Sequence, residues 1–172
     1  MAVFFIADTH FGDDAIIRYE NRPFGSADEM EKKITDNWNS IVSADDEVFL
    51  LGDIAAYDKE RTRDIINRLN GRKSLIIGNH DVQDEQYYYD CGFSFVSRYP
   101  ILYQNYWLLS HEPLYVCTNM PYANIFGHVH ASPLYVTVSP QSYCVSVERI
   151  NYTPISFDSI KQAVREQVMV KK

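Results

Sequence analysis

The sequence has few cysteines, little clustered positive charge and no long hydrophobic segment, and each shortage excludes a class of protein. Its three cysteines, Cys91, Cys117 and Cys144, are isolated and form no CxxC pair, so neither a disulfide framework nor a zinc knuckle is indicated. We expect them to be small buried hydrophobic residues in a reducing compartment. The apolar run at residues 2–7 is too short for a signal peptide and follows no basic segment. We therefore expect a cytoplasmic protein.

Positive charge is both scarce and scattered. The chain has 16 Lys and Arg against 23 Asp and Glu, a net charge of −7, and no Lys or Arg run longer than two residues. Proteins that bind duplex nucleic acid or anionic membranes neutralise phosphates with a basic face. We therefore expect neither partner here. A phosphate-bearing substrate would need bound metal ions to supply the positive charge.

The longest weakly charged stretch is residues 99–147, in which Glu112 is the only formally charged side chain apart from histidines. Pro, Asn, Ser, Gln, Gly and His interrupt this stretch every few residues, so it does not read as a membrane span. Short β-rich runs between such interruptions are typical of successive strands. The stretch therefore predicts sheet structure rather than a membrane segment.

The 172-residue length and the element pattern predict one domain over residues 1–172. Apolar runs predict buried strands, and apolar side chains at helical spacing predict helices, the first capped by Ser26. Parallel strands followed by a run of further strands indicate an α/β fold with mixed sheets. The predicted strands are 2–7, 47–51, 73–77, 93–99, 101–109, 124–126, 134–138 and 143–147, and the predicted helices start at Ser26, cover 59–69 and include Ile160, Val164 and Val168.

Polar side chains follow the first three predicted strands at the point where each strand ends. Asp8, Asp53 and Asn79 occupy these positions. The carboxyl ends of neighbouring parallel strands meet in one crevice, so these three side chains are expected to lie side by side. All five histidines also follow or end predicted strands: His10, His80, His111, His128 and His130.

This set of groups is suited to binding metal. Carboxylate, amide oxygen and imidazole without thiolate suit Mn²⁺, Fe, Zn²⁺ or Ni²⁺. The set is too large for one four- to six-coordinate ion, but it fits two ions that share a bridging carboxylate. Two ions about 3.5–4 Å apart are a common arrangement for in-line displacement at phosphorus.

In its ordered motifs the chain resembles the calcineurin-like metallophosphoesterases, whose pattern is DxH, GD, GNH[DE], H and GHxH. The segment Arg22-Pro23-Phe24 also looks like a compact bacterial or phage-type subgroup. The resemblance implies the family fold, two facing mixed β-sheets flanked by helices. The matching blocks are Asp8-Thr9-His10, Gly52-Asp53, Gly78-Asn79-His80-Asp81, His111 and Gly127-His128-Val129-His130.

The resemblance also implies a ligand set. It implies two divalent ions, with manganese as the first choice and iron, zinc or nickel as alternatives. Asp53 would bridge the two ions. The first ion would be held by Asp8, His10, Asp53 and His130, and the second by Asp53, Asn79, His111 and His128.

His80 would have a different role, implied by the same resemblance. It would lie over the substrate phosphate and assist the leaving group, Asp81 would orient its ring, and a metal-bridging hydroxide would be the nucleophile. The implied activity is hydrolysis of phosphodiester or phosphomonoester bonds in a small phosphate ester, with a nucleotide-like compound among the candidates.

Some residues keep two interpretations. Asp13 either orients a ligand or begins a helix, and Arg18 and Arg22 either clamp a substrate phosphate or form surface ion pairs. The triple Tyr87-Tyr88-Tyr89 either stacks a nucleobase or fills half-buried positions. Glu112 either supports His111 or is an exposed charge.

A second function class also stays open. Proteins of such a fold can lose turnover and serve as scaffolds for protein interaction. A scaffold has no chemical need for a histidine beside the metals that is not a ligand, and His80 is such a residue. The sequence therefore favours the hydrolase over the scaffold.

Overall fold

A computed structural model describes residues 1–117, 119–135 and 139–170. Within these ranges, strands and helices alternate over the first half and strands dominate the second. The strands are β1 (Val3–Ile6), β2 (Glu47–Leu50), β3 (Arg72–Ile76), β4 (Phe95–Ser97), β5 (Ile101–Tyr103), β6 (Trp107–Leu109), β7 (Ala123–Phe126), β8 (Ser142–Cys144) and β9 (Ile155–Ser156). The helices are α1 (Asp14–Tyr19), α2 (Ala27–Ile41), α3 (Lys59–Arg68), α4 (Glu85–Asp90) and α5 (Phe157–Val170).

The strands form two mixed sheets. The five-stranded sheet has the order β4-β3-β2-β1-β9, in which β9 alone runs antiparallel to its neighbour. The four-stranded sheet has the order β5-β6-β7-β8, with β5 antiparallel and the other pairs parallel. This is the α/β sandwich that the sequence predicted.

The alternation of side chains along β1 and β2 explains how the two layers form. Phe4 and Ile6 belong to one buried cluster together with α2 and α3 side chains. Phe5 and Phe49 belong to a second cluster, which also holds Ile125 and other side chains of the smaller sheet and of α5. The larger sheet is therefore buried on both faces, as its continuous apolar strands require.

Helix α2 begins where the sequence predicts. The Ser26 side chain accepts from the Glu29 amide at 3.2 Å, and the Glu29 carboxylate accepts from the Gly25 amide at 2.7 Å. This variant of the capping box reaches one residue further back than usual. Trp38 is fully buried on the same helix, and its indole donates to the Asn70 carbonyl.

Two strand predictions were wrong. Residues 101–109 form a hairpin, β5 and β6, because Gln104 and Asn105 adopt positive φ angles of 49° and 57° and reverse the chain. The strand predicted at 134–138 begins instead in a 3₁₀ helix, Pro133–Tyr135. Residues 136–138 lie outside the described residues.

The cysteine prediction holds in part. All three are free; Cys91 is buried, whereas Cys117 and Cys144 are half-buried. No helix in the described parts of the chain is long and apolar enough to cross a membrane.

Candidate metal centre

The two sheets meet at the carboxyl ends of their strands. The Ala7 amide donates to the Val145 carbonyl at 2.9 Å, and the Val147 amide donates to the Ala7 carbonyl at 3.1 Å. This pairing joins the end of β1 to the segment after β8. The loops that follow β1, β2, β3, β6 and β7 therefore converge, and they carry every predicted site residue.

Two groups of predicted ligands lie in this convergence, and a third candidate group, Glu20, His130 and Glu148, shares His130 with one of them. Asp8, His10 and His130 each offer a ligand atom within 4.8 Å of the others, and Asp53, His111 and His128 do the same. The two groups match the two predicted ligand sets, apart from Asn79 and the shared carboxylate.

Asp53 lies between the two groups. Its Oδ2 is 3.6 Å from His10 Nε2 in the first group and 3.4 Å from His111 Nε2 in the second. Its Oδ1 accepts from the His80 amide at 2.8 Å, which fixes the carboxylate. The arrangement places one carboxylate oxygen within reach of both groups.

Asn79 completes the second group. Its Oδ1 is 2.9 Å from His111 Nε2 and 2.9 Å from His128 Nδ1, and these two nitrogens are 3.1 Å apart. His111 Nδ1 contacts the Leu51 carbonyl at 2.8 Å and must donate to it, which leaves Nε2 as the nitrogen that faces Asp53.

The backbone is strained at this centre. Five of the seven predicted ligands have positive φ, a conformation that side chains with a Cβ rarely adopt. Such strain persists only where the surrounding structure enforces it, and it concentrates at functional sites. The five are Asp8 (60°), His10 (47°), Asp53 (56°), His128 (70°) and His130 (45°).

The glycine before Asp53 permits this close packing. Gly52 has φ of +87°, and a Cβ there would lie 2.4 Å from His111 Nδ1 and 2.6 Å from Gly78 Cα. Only glycine satisfies both the angle and the approach. The Gly in the GD motif is therefore part of how the site is built.

The buried carboxylates of Asp8 and Asp53 have very different pKa values. Burial raises the pKa of Asp8 to about 6, although His130 and His111 act against it. Burial also acts to raise the pKa of Asp53, but His111 and the His80 amide more than offset it and lower that pKa to about 2. Asp53 is therefore a stable anion facing both groups.

The histidines respond to the same environment. Burial lowers the pKa of His10 to about 4, which keeps its ring neutral and its nitrogens available as ligands. Burial would also lower the pKa of His111, but Asp53 raises it to about 9. A metal ion at His111 Nε2 would replace that proton.

The residues fit a divalent metal ion. His10 Nε2 is buried and has no hydrogen-bond partner, yet it faces Asp53 Oδ2. An orphaned imidazole nitrogen beside carboxylate oxygens is the arrangement that a cation would complete. Oxygen and imidazole donors without thiolate suit Mn²⁺, Fe, Zn²⁺ or Ni²⁺.

Comparison with known proteins agrees with this geometry. The family model for calcineurin-like phosphoesterases matches residues 1–168. The chain belongs to this family. Membership makes it a hydrolase of phosphate esters, and the Asp and His groups make it one that binds divalent metal.

Among curated proteins, the chain is 36% identical to the uncharacterised protein MJ1445 of Methanocaldococcus jannaschii over 177 aligned residues, which cover 98% of this chain and 94% of that one. It is also 31% identical to the gene 66 protein of Mycobacterium phage L5, but over only 45% of this chain and 38% of that one.

Two solved structures share the fold. A protein of unknown function from Aquifex aeolicus, AQ665, superposes with a TM-score of 0.74 at 24% identity and covers 94% of this chain and 98% of its own. The nuclease MPE of Pseudomonas putida superposes with a TM-score of 0.52 at 22% identity and covers 74% of this chain and 61% of its own.

His80 of this phosphoesterase lies at the edge of the metal groups and belongs to neither. Its side chain is exposed, and its ring stands edge-on to the ring of His10, with the ring centroids 5.2 Å apart. Its backbone amide donates to Asp53, and among the described hydrogen bonds none involves the His80 ring. The ring is therefore free to meet a substrate.

The contacts of Asp81 differ from the predicted ones. Its two carboxylate oxygens accept from the backbone amides of Asp53, Ile54 and Gly78 at 2.7, 3.0 and 2.8 Å. Among the described hydrogen bonds, none joins Asp81 to the His80 ring. The carboxylate therefore ties the loop after β2 to the loop after β3.

Neither interpretation of Arg22, a phosphate clamp or a surface ion pair, holds. Arg22 is buried, not exposed, and its guanidinium pairs with Glu148 Oε1 at 2.7 Å. It also donates to the carbonyls of Asp8 (2.7 Å) and Thr9 (3.2 Å), under the first metal group. Arg18 is exposed on α1.

Glu148 is the residue that the predicted site left out. Its Oε1 is 3.0 Å from His130 Nδ1 and accepts from Arg22 Nε at 2.8 Å. One sequence signal was available, because Glu148 is the first carboxylate after the weakly charged stretch 99–147.

The structure also locates the other residues for which the sequence left two interpretations. Asp13 caps α1 by accepting from the amides of Ala15 and Ile16, as the helix-start interpretation requires, and its Oδ2 also lies 3.6 Å from Nδ1 of the predicted ligand His10. Tyr87 to Tyr89 lie on α4, where Tyr88 is buried. Glu112 is exposed and lines the cleft described next.

The metal groups open into a cleft of about 750 Å³. Asp53, Asn79, His80, His128 and His130 lie on its floor and sides. Its wall residues are apolar, aromatic or acidic apart from one serine: Asp13, Ala15, Ile16, Tyr19, Glu20, Glu112, Pro113, Val129, Ser132 and Tyr135.

Proposed function

We propose that this chain hydrolyses small phosphodiesters or phosphomonoesters with two divalent ions that share Asp53. The observation that carries the proposal is the position of Asp53 Oδ2, 3.6 Å from His10 Nε2 and 3.4 Å from His111 Nε2. One oxygen within reach of two Asp and His groups is what a bridging ligand requires.

The ligand assignment follows from the two groups. One ion would be held by Asp8, His10 and His130 and the other by His111, His128 and Asn79, with Asp53 shared. When bound, such ions activate a water molecule and neutralise phosphate oxygens. Manganese is the ion that we test first, with iron, zinc and nickel as alternatives.

His80 would assist the leaving group. The ring is exposed in the cleft beside His10 and is not a member of either metal group. A histidine can hold a proton near neutral pH and give it to an alkoxide or phenoxide oxygen as the ester bond breaks. Asp53 holds the His80 backbone in place through the His80 amide.

The substrate would be small. A cleft of about 750 Å³ has the size of a site for a nucleotide-like molecule rather than a duplex. Tyr19 and Tyr135 on its wall offer surfaces for a planar group. A structural neighbour is a nuclease, which makes nucleotide-like esters the first class to test.

The test compares bis(p-nitrophenyl) phosphate with p-nitrophenyl phosphate. Metal-stripped protein receives Mn²⁺, Ni²⁺, Zn²⁺ or Mg²⁺ separately, and His80→Ala is run beside the wild type. We expect metal-dependent turnover and, with an alkyl ester, a loss of roughly 10²–10⁴ in kcat in the variant with both ions retained. The diester-to-monoester ratio then identifies the preferred bond.

Two results would contradict the proposal. Unchanged kcat in His80→Ala at saturating metal, measured with an alkyl ester whose alkoxide leaving group needs a proton, would remove His80 from the mechanism. Absence of turnover with every ion, despite two ions bound per chain, would favour the interaction scaffold instead.

A further inference from the structure

The charged side chains on the cleft walls, histidines aside, are acidic. Asp13, Glu20 and Glu112 face the cleft in addition to Asp53, and the described lining residues include no Lys or Arg. The residues outside the described ranges are a threonine at 118, Val-Thr-Val at 136–138 and the two C-terminal lysines. Apart from those lysines, they add no charge.

Three guanidinium groups lie close to cleft residues in sequence or by contact. Arg18 is exposed on α1 next to Tyr19 but does not line the cleft, and Arg22 and Arg149 are engaged elsewhere. Arg22 is buried against Glu148 and the Asp8 carbonyl. Arg149 donates to the carbonyls of His130 and Ser132 and does not line the cleft. Neither Arg22 nor Arg149 is placed to receive a second phosphate, and Arg18 is not among the residues that line the cleft.

The metal ions leave little positive charge for a second anion. Two divalent ions are offset in part by the carboxylates of Asp8 and Asp53, and a bound phosphodiester offsets one charge more. The three further carboxylates then outweigh what remains. A second phosphate in the cleft would face like charges, which disfavour its binding.

The other part of the wall suits an uncharged organic group. Tyr19, with 81% of its surface exposed, and Tyr135, with 46%, stand beside Ile16, Pro113 and Val129. An aromatic or apolar substituent of the ester would pack against these side chains, and the removal of apolar surface from water would favour its binding.

We infer that this phosphoesterase selects esters that carry a single phosphorus group with uncharged substituents, and that it rejects esters bearing a further phosphate. This specificity rests on the proposed function, and Glu112 is its determinant on the open side of the cleft. Its side chain is exposed and close enough to act on His128 electrostatically, and no Lys or Arg lies within 4 Å of its carboxylate among the described ion pairs.

The test uses two substrates that differ by one remote phosphate. They are the p-nitrophenyl ester of thymidine 5′-phosphate and the same ester with a 3′-phosphate. With saturating Mn²⁺ we expect kcat/KM to be at least about tenfold lower for the second compound. The difference in kcat/KM between the two compounds should decrease at high salt, because salt screens the carboxylates.

Charge variants assign the effect. Glu112→Gln should reduce the difference in kcat/KM between the two esters, and Glu112→Lys should reduce it further. We expect Glu112→Lys to raise kcat/KM for the 3′-phosphorylated ester by roughly three- to tenfold. Glu60→Lys makes the same reversal on an exposed residue of α3 that does not line the cleft, and it should leave the ratio as in the wild type.

The outcomes separate this inference from the proposed function. Equal kcat/KM for the two esters, or a ratio that both Glu112 variants leave untouched, would overturn the inference while hydrolysis itself stands. Failure to hydrolyse these esters, bis(p-nitrophenyl) phosphate and p-nitrophenyl phosphate with any ion would instead count against the proposed function.

Discussion

Glu148 is not one of the predicted metal ligands, but it orients one of them, His130. Its Oε1 meets His130 Nδ1, which leaves Nε2 as the ring nitrogen available to the first ion. The same oxygen pairs with buried Arg22, which also holds the Asp8 carbonyl. One ion pair therefore supports two of the first ion's ligands, Asp8 and His130.

Glu148→Gln should weaken one of the two metal-binding steps selectively. The amide keeps the shape but loses the charge, and loss of such a supporting group costs about 10–100-fold in metal affinity. Calorimetric titration of metal-stripped protein with Mn²⁺ measures both steps. The control is Glu60→Gln, the same change on an exposed part of α3.

A companion variant keeps this prediction testable if the single change unfolds the protein. Glu148→Gln strands the buried Arg22 charge, which costs about 3–5 kcal/mol. Arg22→Met with Glu148→Gln removes that charge as well. Equal weakening of both steps, or of neither, would refute a specific role in positioning the first ion's ligands.

At the scale of elements, the carboxyl ends of the strands position most of the predicted ligands. Parallel register aligns Ile6 with Leu50 and Leu50 with Leu75, so the loops after β1, β2 and β3 leave the sheet side by side. Asp81 then links two of these loops through three backbone amides. The ligands are placed by short, tightly bonded turns rather than by helices.

Gly52→Ala should therefore damage both stability and metal binding. The φ of +87° alone costs about 1–3 kcal/mol for a residue with a Cβ, and the 2.4 Å contact with His111 adds to it. Chemical denaturation and Mn²⁺ titration measure the two losses. Gly25→Ala is the control, because its Cβ would meet only a flexible Glu29 oxygen at 3.3 Å; similar losses in both variants would contradict the argument.

The sequence predicted those parts of the molecule in which one local signal decides the structure. Apolar runs located β1, β2 and β3, and Ser26 located the start of α2, because both signals are short-range. The β5–β6 hairpin was missed because its turn uses Gln104 and Asn105 and no glycine or proline.

Side-chain partners could not be predicted in the same way. Arg22 and Glu148 are 126 residues apart, and nothing in either local sequence indicates that they meet in the interior. Asp81 follows His80 directly, yet its oxygens turn to backbone amides across the loop. The motifs identified the metal-facing residues, whereas the groups that support them depend on tertiary packing.

For the whole molecule, the metal centre joins the two sheets. Asp8 comes from the larger sheet and His128 from the smaller, and the His128 amide donates to both oxygens of Asp8 at 3.0 and 2.9 Å. Ions bound at this junction would contact loops of both sheets. Metal binding should therefore stabilise the folded state as a whole.

Chelation should lower the thermal midpoint. Free ion at about 100 times its Kd contributes about 2.7 kcal/mol to the folded state, which for a chain of this size corresponds to roughly 5–10 °C in Tm. Differential scanning fluorimetry with and without Mn²⁺ measures the shift. An unchanged Tm at saturating Mn²⁺ would mean that the folded chain does not bind the ion in preference to the unfolded chain.

The most direct test of the account is the number of Mn²⁺ ions that the chain binds with and without the Asp53 carboxylate. Elemental analysis after equilibrium dialysis should give two ions per chain for the wild type. Asp53→Asn should lose both, along with all hydrolysis of bis(p-nitrophenyl) phosphate, because one oxygen faces both groups. Two ions retained in Asp53→Asn, or only one bound by the wild type, would contradict the shared-carboxylate centre.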